Sequence, residues 1–379
     1  MKQINLKKYL SGFTLLLAMS GQSMAAGWKL TDLGAFESGS SNALALTADG
    51  RVGGASARAD GLPYPFLSKG DHVASIGNTT GAVSVANRYG QAAGMMTSAD
   101  GMRIELALFS GNRTTPLGGF GGAYVIINGI NDNNQVVGYG VFPNYDEHAF
   151  VATASGLVDL GTLGGRFSRA VAINRSGVIA ADARNAAGQN RCALSYGSGL
   201  IEIGALSPTG GCAAAAINSA GMVVGGSSNG QATHAFLYDG RQFYDLGTLG
   251  GSTSTATGIN DLGQIVGNAN IVSGEKRAFL YAAGSMRNLG MPGGATGNSY
   301  GRAINSQGQV IGYYTLNSES NRVSRAFFYD GGVIVDVSNL VSGLSEIDAN
   351  SLRINDNGQL AGTGKINGVL RAFLLTPQP

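Results

Sequence analysis

The two cysteines, Cys192 and Cys212, have the most direct chemistry, because they are the only thiols in a sequence of 379 residues. In an exported protein, an isolated pair of cysteines is usually oxidised. We therefore expect a disulfide that encloses about 20 residues and contributes on the order of 3 kcal/mol to stability. Two separate buried thiols are the alternative. A catalytic thiol is not favoured, since no histidine is nearby in the sequence.

Histidine and arginine share one position of a recurring tripeptide. His148 and His234 begin "HAF", and other copies begin with Arg191, Arg277, Arg325 and Arg371. Arginine is not a metal ligand, so we predict no metal site at this position. The simplest interpretation is a strand end, where a long polar side chain reaches solvent or a loop carbonyl. The functional alternative is a partial ring of cationic groups that attracts an anionic ligand.

Catalytic motifs are missing from the sequence. No G-x-S-x-G or H-E-x-x-H motif occurs, and no glycine-rich loop leads into a helix. The only local titratable cluster is Tyr145, Asp146, Glu147 and His148, and neighbouring strand residues point to opposite faces. The segments "NDNNQ" (131–135) and "NDNG" (355–358) lack the alternating Asp and closing Glu of a calcium loop. We predict no metal, no cofactor, and a binding protein rather than an enzyme.

Glycine is the compositional anomaly, with 61 residues beside only 8 prolines. With 44% apolar and 13% charged residues, the composition is typical of a large all-β protein and excludes a collagen-like or disordered chain. A net charge of +2 offers no basic field for nucleic acid.

The first 25 residues have the pattern of a secretory signal peptide. Lys2, Lys7 and Lys8 precede the short apolar run "FTLLLAM" (13–19), and small residues lead to a cleavage site after Ala25. No later segment reaches the ~20 apolar residues that a membrane span needs. We expect a secreted or periplasmic protein whose mature chain, 26–379, is a single domain.

An internal repeat supplies the elements that must position these side chains. A phrase close to "A-x-x-I-N-x-x-G-Q-V-V-G" occurs eight times, with its turns 40 to 50 residues apart. Apolar alternation before the Asn and β-branched residues after it predict two strands joined by a tight turn. The Asn side chain can bond the turn backbone, and the Gly supplies a positive φ. The asparagines expected to be structural are Asn131, Asn174, Asn218, Asn260, Asn305 and Asn355.

A second hairpin follows in each copy, as in "HAFLYDG" (234–240) and "FYDLGTLGG" (243–251). Four antiparallel strands, A to D, in one repeat are the content of a propeller blade. The mature chain begins with a D-like strand (27–36) and ends with a C-like strand (371–379). We predict an all-β fold, a β-propeller of eight four-stranded blades, closed by the N-terminal strand completing the last blade. Seven blades would require one copy, the second, to be something else.

The repeat "HAFLYDG…DLGTLGGS…GINDLGQIVG" resembles the bacterial extracellular His-Ala-Phe (HAF) repeat family. The resemblance covers nearly the whole mature chain and is strongest in copies five to seven. It implies an exported, β-propeller-like repeat protein, and it implies no defined activity.

The repeat register adds a prediction for the cysteines. Cys192 takes the Ala position of the tripeptide in blade four, and Cys212 takes the position of Ser254 in blade five. Strands A and C run parallel within an up-and-down blade. Both cysteines are therefore expected on the same face, in adjacent blades.

The loops between strands B and C vary most among the copies, whereas the A–B turns are nearly constant. They lie on the face of the His/Arg positions, and variable loops on a rigid scaffold are where binding usually resides. Aromatic and charged side chains there suit recognition of a glycan or a protein. The candidate ligand-binding residues are Tyr64, Phe142, Tyr145, Asp146, Glu147, His148, Lys276, Arg277, Tyr313, Tyr314, Arg322 and Arg325.

The sequence thus predicts a secreted, non-enzymatic binding scaffold. Its ligand would be a surface glycan, a matrix component or another protein on the B–C loop face. One alternative is a polysaccharide lyase or hydrolase that uses the same face or the central channel. The others are solvated loops with no binding role and a purely structural role in a surface layer or matrix.

Overall fold

The computed structural model describes residues 27–37, 39–98, 100–110, 113–122, 124–317 and 323–379. The predicted signal peptide, 1–25, lies outside the described residues, and so does Arg322. The described ranges contain 32 strands and only two short 3-10 helices, Pro292–Gly294 and Val337–Asn339, so the all-β prediction is confirmed. No helix in these ranges has the length and apolarity needed to cross a membrane.

The strands follow the chain in eight groups, which we call units 1 to 8. The first strand, β1 (Gly27–Asp32), precedes them. Unit 1 contains β2 (Ser41–Leu46), β3 (Val52–Ala57) and β4 (Pro63–Leu67), and unit 2 contains β5 (Gly81–Ala86), β6 (Ala92–Thr97), β7 (Ile104–Ser110) and β8 (Arg113–Gly118). Unit 3 contains β9 (Val125–Ile130), β10 (Val136–Val141), β11 (Glu147–Thr153) and β12 (Gly156–Asp159). Unit 4 contains β13 (Gly164–Ile173), β14 (Ile179–Asn185), β15 (Asn190–Ser195) and β16 (Ile201–Gly204).

The second half of the chain repeats this pattern. Unit 5 contains β17 (Cys212–Ile217), β18 (Val223–Ser228), β19 (Thr233–Tyr238) and β20 (Phe243–Asp245), and unit 6 contains β21 (Gly250–Ile259), β22 (Ile265–Ile271), β23 (Lys276–Ala282) and β24 (Ser285–Gly290). Unit 7 contains β25 (Gly297–Ile304), β26 (Val310–Leu316), β27 (Arg325–Asp330) and β28 (Val333–Asp336). Unit 8 contains β29 (Leu344–Ser345), β30 (Arg353–Ile354), β31 (Leu360–Ile366) and β32 (Val369–Gln378).

The N-terminal strand completes the last unit, as the sequence predicts. Strand β1 pairs with β32 along its whole length, from Gly27 opposite Gln378 to Asp32 opposite Phe373. One parallel bridge, between Glu147 and Phe167, joins units 3 and 4 into a single sheet. Because of this bridge the strands form seven sheets, and the count of eight blades stays a prediction. In unit 1 the predicted fourth strand is reduced to isolated bridges such as the one between Phe66 and Ser75.

The turn asparagines link neighbouring units from unit 2 through unit 8 to unit 1, which confirms their structural role. The Nδ2 group of Asn131 donates to the carbonyl of Asn174 at 3.2 Å, and Asn174 donates in turn to Asn218 at 3.1 Å. Equivalent bonds lead from Asn87 to Asn131 and from Asn218 through Asn260 and Asn305 to Asn355. The series ends where Asn355 of unit 8 donates to the carbonyl of Thr47 at 3.0 Å, which joins the last unit to the first. Thr47 stands at the asparagine position of unit 1. All of these asparagines are buried, so each bond also satisfies a polar group that water does not reach.

The glycine of "QVVG" is required by packing where the tripeptide phenylalanine stands opposite it. Gly267 in strand B stands opposite Phe279 of the tripeptide in strand C, and Phe279 is fully buried. A Cβ atom on Gly267 would lie 2.1 Å from the carbonyl oxygen of Thr255 and 2.8 Å from the Phe279 ring. Strand A bulges beside this point, between Ala256 and Gly258. Only a residue without a side chain fits between the bulged strand and the phenylalanine.

The disulfide prediction is confirmed: Cys192 and Cys212 are bonded, with their Cα atoms 5.2 Å apart. The repeat explains its place. At other boundaries the backbone N–H of the tripeptide alanine donates to a buried serine hydroxyl at the start of the next strand A, as from Ala235 to Ser254 at 2.8 Å. The disulfide replaces this hydrogen bond between units 4 and 5.

Candidate functional site

A cleft of about 570 Å³ opens on the B–C loop face between units 3 and 4. Unit 3 contributes Tyr145 and Glu147, from its B–C loop and the start of β11. Unit 4 contributes side chains from β13 and β14, and Asn190 at the start of β15. The side chains of β13 and β14 are Arg166, Phe167, Arg169 and Arg184.

Guanidinium groups and aromatic rings alternate along one wall of this cleft. The guanidinium carbon of Arg169 lies 4.6 Å from the ring centre of Tyr139 and 4.6 Å from that of Phe167. Arg184 lies on the same Phe167 ring at 5.8 Å. The Tyr139 ring in turn meets Tyr124 edge-on, with ring centres 6.4 Å apart. Each cation–π contact is worth about 0.5–1 kcal/mol at an exposed site, so the row restrains both guanidinium groups.

Two of the three arginines are paired with carboxylates of unit 3. Arg169 donates to Glu147 from Nη2 at 2.6 Å and from Nε at 2.8 Å. The Tyr124 hydroxyl donates to the same carboxylate at 2.9 Å, and this bond raises the pKa of Tyr124. Arg166 donates to Asp146 at 2.5 Å and holds the pKa of Asp146 below its usual value.

Arg184 is the third arginine and has a different partner. Its Nε donates to the amide oxygen of Asn190 at 3.1 Å. Among the described residues it has no carboxylate partner. Three arginines therefore face two paired carboxylates. The cleft has one surplus positive charge as long as Asp182, which stands opposite Arg169 in the sheet, stays protonated.

The backbone of Tyr145 has a conformation that residues with a side chain rarely adopt. Its φ is +66°, in the left-handed region, and its side chain is 82% exposed at the mouth of the cleft. The equivalent B–C turn residues of units 1, 2, 4 and 6 are glycines, Gly61, Gly101, Gly188 and Gly274, all with positive φ. A non-glycine residue in this region costs about 1–2 kcal/mol. Packing does not explain the tyrosine, because the side chain is solvated.

The other predicted residues of the unit 3 loop lie behind the cleft. The His148 imidazole pairs with Asp159 at 2.9 Å, and its ring packs edge-on against Phe142 with centres 4.7 Å apart. Phe142 also packs on Phe120 at 4.7 Å. These side chains support the loop that presents Tyr145.

Most arginines and histidines at the first position of the tripeptide bond to other groups of the fold. His234 pairs with Asp245 at 2.9 Å, and Arg277 donates to the Gly297 carbonyl at 2.6 Å. Arg371 donates in the same way to Gly39 at 2.6 Å. These contacts fit a rim position that reaches a loop carbonyl or a neighbouring strand. Arg325 begins β27.

The remaining candidates are dispersed over units 1, 6 and 7. Tyr64 carries the Arg58 guanidinium over its ring at 4.0 Å, and its hydroxyl donates to Asp60 at 2.7 Å. Lys276 lies 5.8 Å from the ring of Tyr300, which stacks on Tyr313 with centres 4.6 Å apart.

The expectation that Tyr314 belongs to the loop surface is wrong. Tyr314 is only 5% exposed, and its hydroxyl donates to Asp336 at 2.6 Å. Strand alternation turns it away from the side of Tyr313 and into the core. Of the predicted residues, the structure thus brings together Tyr145, Glu147 and, through Arg166, Asp146.

The arginines and the phenylalanine of unit 4 were not predicted, because they lie on strands and not in a variable loop. Arg166, Phe167 and Arg169 belong to strand A, where a buried small residue and an exposed one alternate. A signal was present: the residue after the buried serine or cysteine is Arg169 here, but Ala213 and Thr255 in the next two units.

One titratable residue of unit 4 is perturbed by burial. Asp182 stands opposite Arg169 in the sheet register and accepts a hydrogen bond from the Ala214 N–H at 2.5 Å. Removal from water raises the pKa of Asp182 to about 7. Within the described ranges, no three His, Cys, Asp or Glu side chains come together as a metal site would require.

No protein-family model and no curated protein matches this sequence. The β-propeller domain of the Trilobed protease from Pyrococcus furiosus is similar in structure, with a TM-score of 0.50 and 12% identity over 80% of this chain and 98% of that one. A puromycin hydrolase mutant in complex with PGG also has a TM-score of 0.50, with 12% identity over 90% of this chain and 61% of that one. A lectin from Burkholderia pseudomallei has a TM-score of 0.38 and 13% identity over 82% of this chain and 99% of that one. At such identities the likeness shows the fold alone: the chain folds as a β-propeller.

Proposed function

We propose that this protein is a secreted, non-enzymatic binding scaffold whose ligand binds in the cleft between units 3 and 4. The ligand is a glycan, a matrix component or another protein. The observation that carries the proposal is the exposed side chain of Tyr145. Its turn position has a positive φ, so glycine would be the more stable residue there. Strained residues persist where the surrounding structure fixes them, and they cluster at ligand sites.

The rest of the cleft supports this proposal. Arginine and aromatic side chains are the residue types that contribute most binding energy in protein interfaces. Here they are restrained by ion pairs and ring contacts, so little conformational entropy is lost when a ligand binds. The disulfide supports an oxidising compartment, outside the cell or in the periplasm. Membership of the HAF repeat family stays a prediction.

The test separates binding from stability at one position. Thermal melts of the mature chain, 26–379, are recorded with a panel of anionic and neutral polysaccharides, since a ligand of the folded state raises the midpoint. The unliganded Tyr145→Gly variant is expected to be more stable than the wild type by about 1 kcal/mol. The same variant is expected to lose the ligand-induced rise.

The matched control is Val272→Ala in unit 6. Val272 is 85% exposed and lies in the equivalent B–C turn, but outside the cleft. It should keep the full rise in midpoint. A Tyr145→Gly variant that binds as well as the wild type would count against the cleft.

The rival function is a lyase or hydrolase acting on a polysaccharide, and one observation favours it. Tyr124, Glu147 and Arg169 meet within hydrogen-bond distance, at 2.9 Å and 2.6 Å from the shared carboxylate. A proton donor, a carboxylate and a cation are the groups that such a reaction uses. New reducing or unsaturated ends, formed by the wild type and not by Glu147→Gln, would establish this rival.

A further inference from the structure

We infer that the ligand of this cleft is a uronate-bearing polysaccharide, with one sugar ring against Tyr145 and its carboxylate on Arg184. The inference rests on the proposed function, because it names the ligand class of the same cleft. It follows from the charge of the cleft, the geometry of Arg184 and the placement of Tyr145.

The charge of the cleft selects an anion. Arg166 and Arg169 are neutralised by Asp146 and Glu147, whereas Arg184 donates only its Nε, to the neutral Asn190. No described residue accepts a hydrogen bond from the Nη atoms of Arg184. A ligand carboxylate would remove this imbalance without displacing either existing ion pair.

The position of Arg184 favours a planar anion. Its guanidinium lies over the Phe167 ring at 5.8 Å, and Arg169 lies against the same ring at 4.6 Å. A guanidinium restrained in this way presents two parallel N–H groups, which match the two oxygens of a carboxylate. The bond from its Nε to Asn190 orients the exposed Arg184 side chain in part before the ligand arrives.

Tyr145 supplies the contact for the sugar ring. Its side chain is 82% exposed beside the surplus charge, and the turn that holds it is tied by a bond from its N–H to the Phe142 carbonyl at 2.9 Å. Tyrosine gives a large, rigid, amphipathic surface with few rotatable bonds. An apolar ring face next to a cation matches a pyranose ring that carries a carboxylate.

The neighbouring cleft, between units 2 and 3, serves as an internal contrast. Its volume is similar, about 580 Å³, but its charged lining is one arginine, Arg103, and one glutamate, Glu105. Arg103 also contacts Asp100 at 3.4 Å. This second cleft has no surplus positive charge, so selectivity for an acidic sugar is assigned to the first.

The experiment compares one polymer in two charge states. Titration calorimetry of the mature chain uses polygalacturonate oligosaccharides and the same oligosaccharides fully methyl-esterified. Esterification keeps the sugar ring but removes the negative charge, and it should weaken binding at least about tenfold. Arg184→Gln should weaken binding of the acid by a similar factor, so that the variant binds the acid and the ester with similar affinity. Tyr145→Gly should weaken binding of both.

The outcomes separate this inference from the proposed function. Equal affinity for acid and ester, or an Arg184→Gln variant that binds the acid normally, would overturn the inference. Stronger binding of dextran sulfate at the same cleft would also overturn it, by making a sulfate ester the anion. If only neutral polysaccharides bind, and Tyr145→Gly abolishes that binding, the proposed function stands and this inference fails. If Tyr145→Gly affects no ligand that binds, both fail.

Discussion

Asp182 is the residue whose surroundings change its own chemistry most. Burial raises its pKa from 3.8 to about 7, so between these pH values the folded state holds a proton that the unfolded state has released. The free energy of unfolding therefore falls as the pH rises from about 4 to about 7. At higher pH the half-buried carboxylate is charged and opposes folding.

The substitution Asp182→Asn should remove this loss of stability at high pH. The amide oxygen can still accept the Ala214 N–H, and no charge forms at high pH. Urea unfolding at pH 8 should show the variant to be more stable than the wild type by about 2–4 kcal/mol, with no such gain at pH 4. Asp146→Asn is the control, because the pKa of Asp146 is lowered and its charge is paired with Arg166. A gain at pH 4 as large as that at pH 8 would mean that desolvation of the charge is not the cause.

Site residues could be predicted from the sequence where a local rule identified them. They could not be predicted where their role depends on contacts with a neighbouring unit. Asp146 and Glu147 were found from loop chemistry. Their partners Arg166 and Arg169 lie about 20 residues further along the chain and meet them only across a unit boundary. The prediction for Tyr314 was wrong for a related reason. The segment "YYT" does not show which of its two tyrosines faces the core.

At the scale of elements, two kinds of link join strand C of one unit to strand A of the next. One is the disulfide between units 4 and 5, and the other is the alanine-to-serine hydrogen bond at other boundaries. The double variant Cys192→Ala/Cys212→Ser restores the pair that other boundaries use, whereas Cys192→Ala/Cys212→Ala restores nothing. Loss of the disulfide should cost about 3 kcal/mol, and a regained hydrogen bond should return about 1 kcal/mol. Denaturant unfolding of the two variants should therefore differ by that amount. Equal stability would show that the serine position has no role in joining units.

The elements themselves were highly predictable, because turn, bulge and core requirements coincide in one phrase. The glycine of strand B, the phenylalanine of strand C and the asparagine of the turn each satisfy a constraint that recurs in most copies. Unit 2 has Ala107 at the phenylalanine position. Units differ from the common structure where their sequence differs from the repeated phrase. Unit 4 has Ala181 and Ala193 at the glycine and phenylalanine positions, and unit 1 lacks a full fourth strand.

At the scale of the whole molecule, closure joins residues at opposite ends of the chain. The backbone N–H of Ala372 donates to the Ser41 hydroxyl at 2.9 Å across 331 residues. Strand β1 pairs with β32, and Asn355 reaches Thr47 in unit 1. The sequence predicted this closure from its incomplete terminal repeats, since a ring buries edges that an open array leaves exposed.

The native disulfide provides a template for testing the closed ring. Ser41 and Ala372 occupy the positions of Cys212 and Cys192, so Ser41→Cys/Ala372→Cys should form a disulfide that seals unit 8 to unit 1. The chain-entropy model gives roughly 6 kcal/mol for so long a loop. Melts with and without reductant, together with thiol titration, measure both formation and gain. Ala235→Cys/Ser254→Cys is the matched control, because it joins neighbouring units only 19 residues apart. If the control pair oxidises while the first pair stays reduced, the two ends of the chain do not meet and the fold is an open array. If both oxidise, the two ends of the chain meet, and the first pair should give the larger gain because it closes the longer loop.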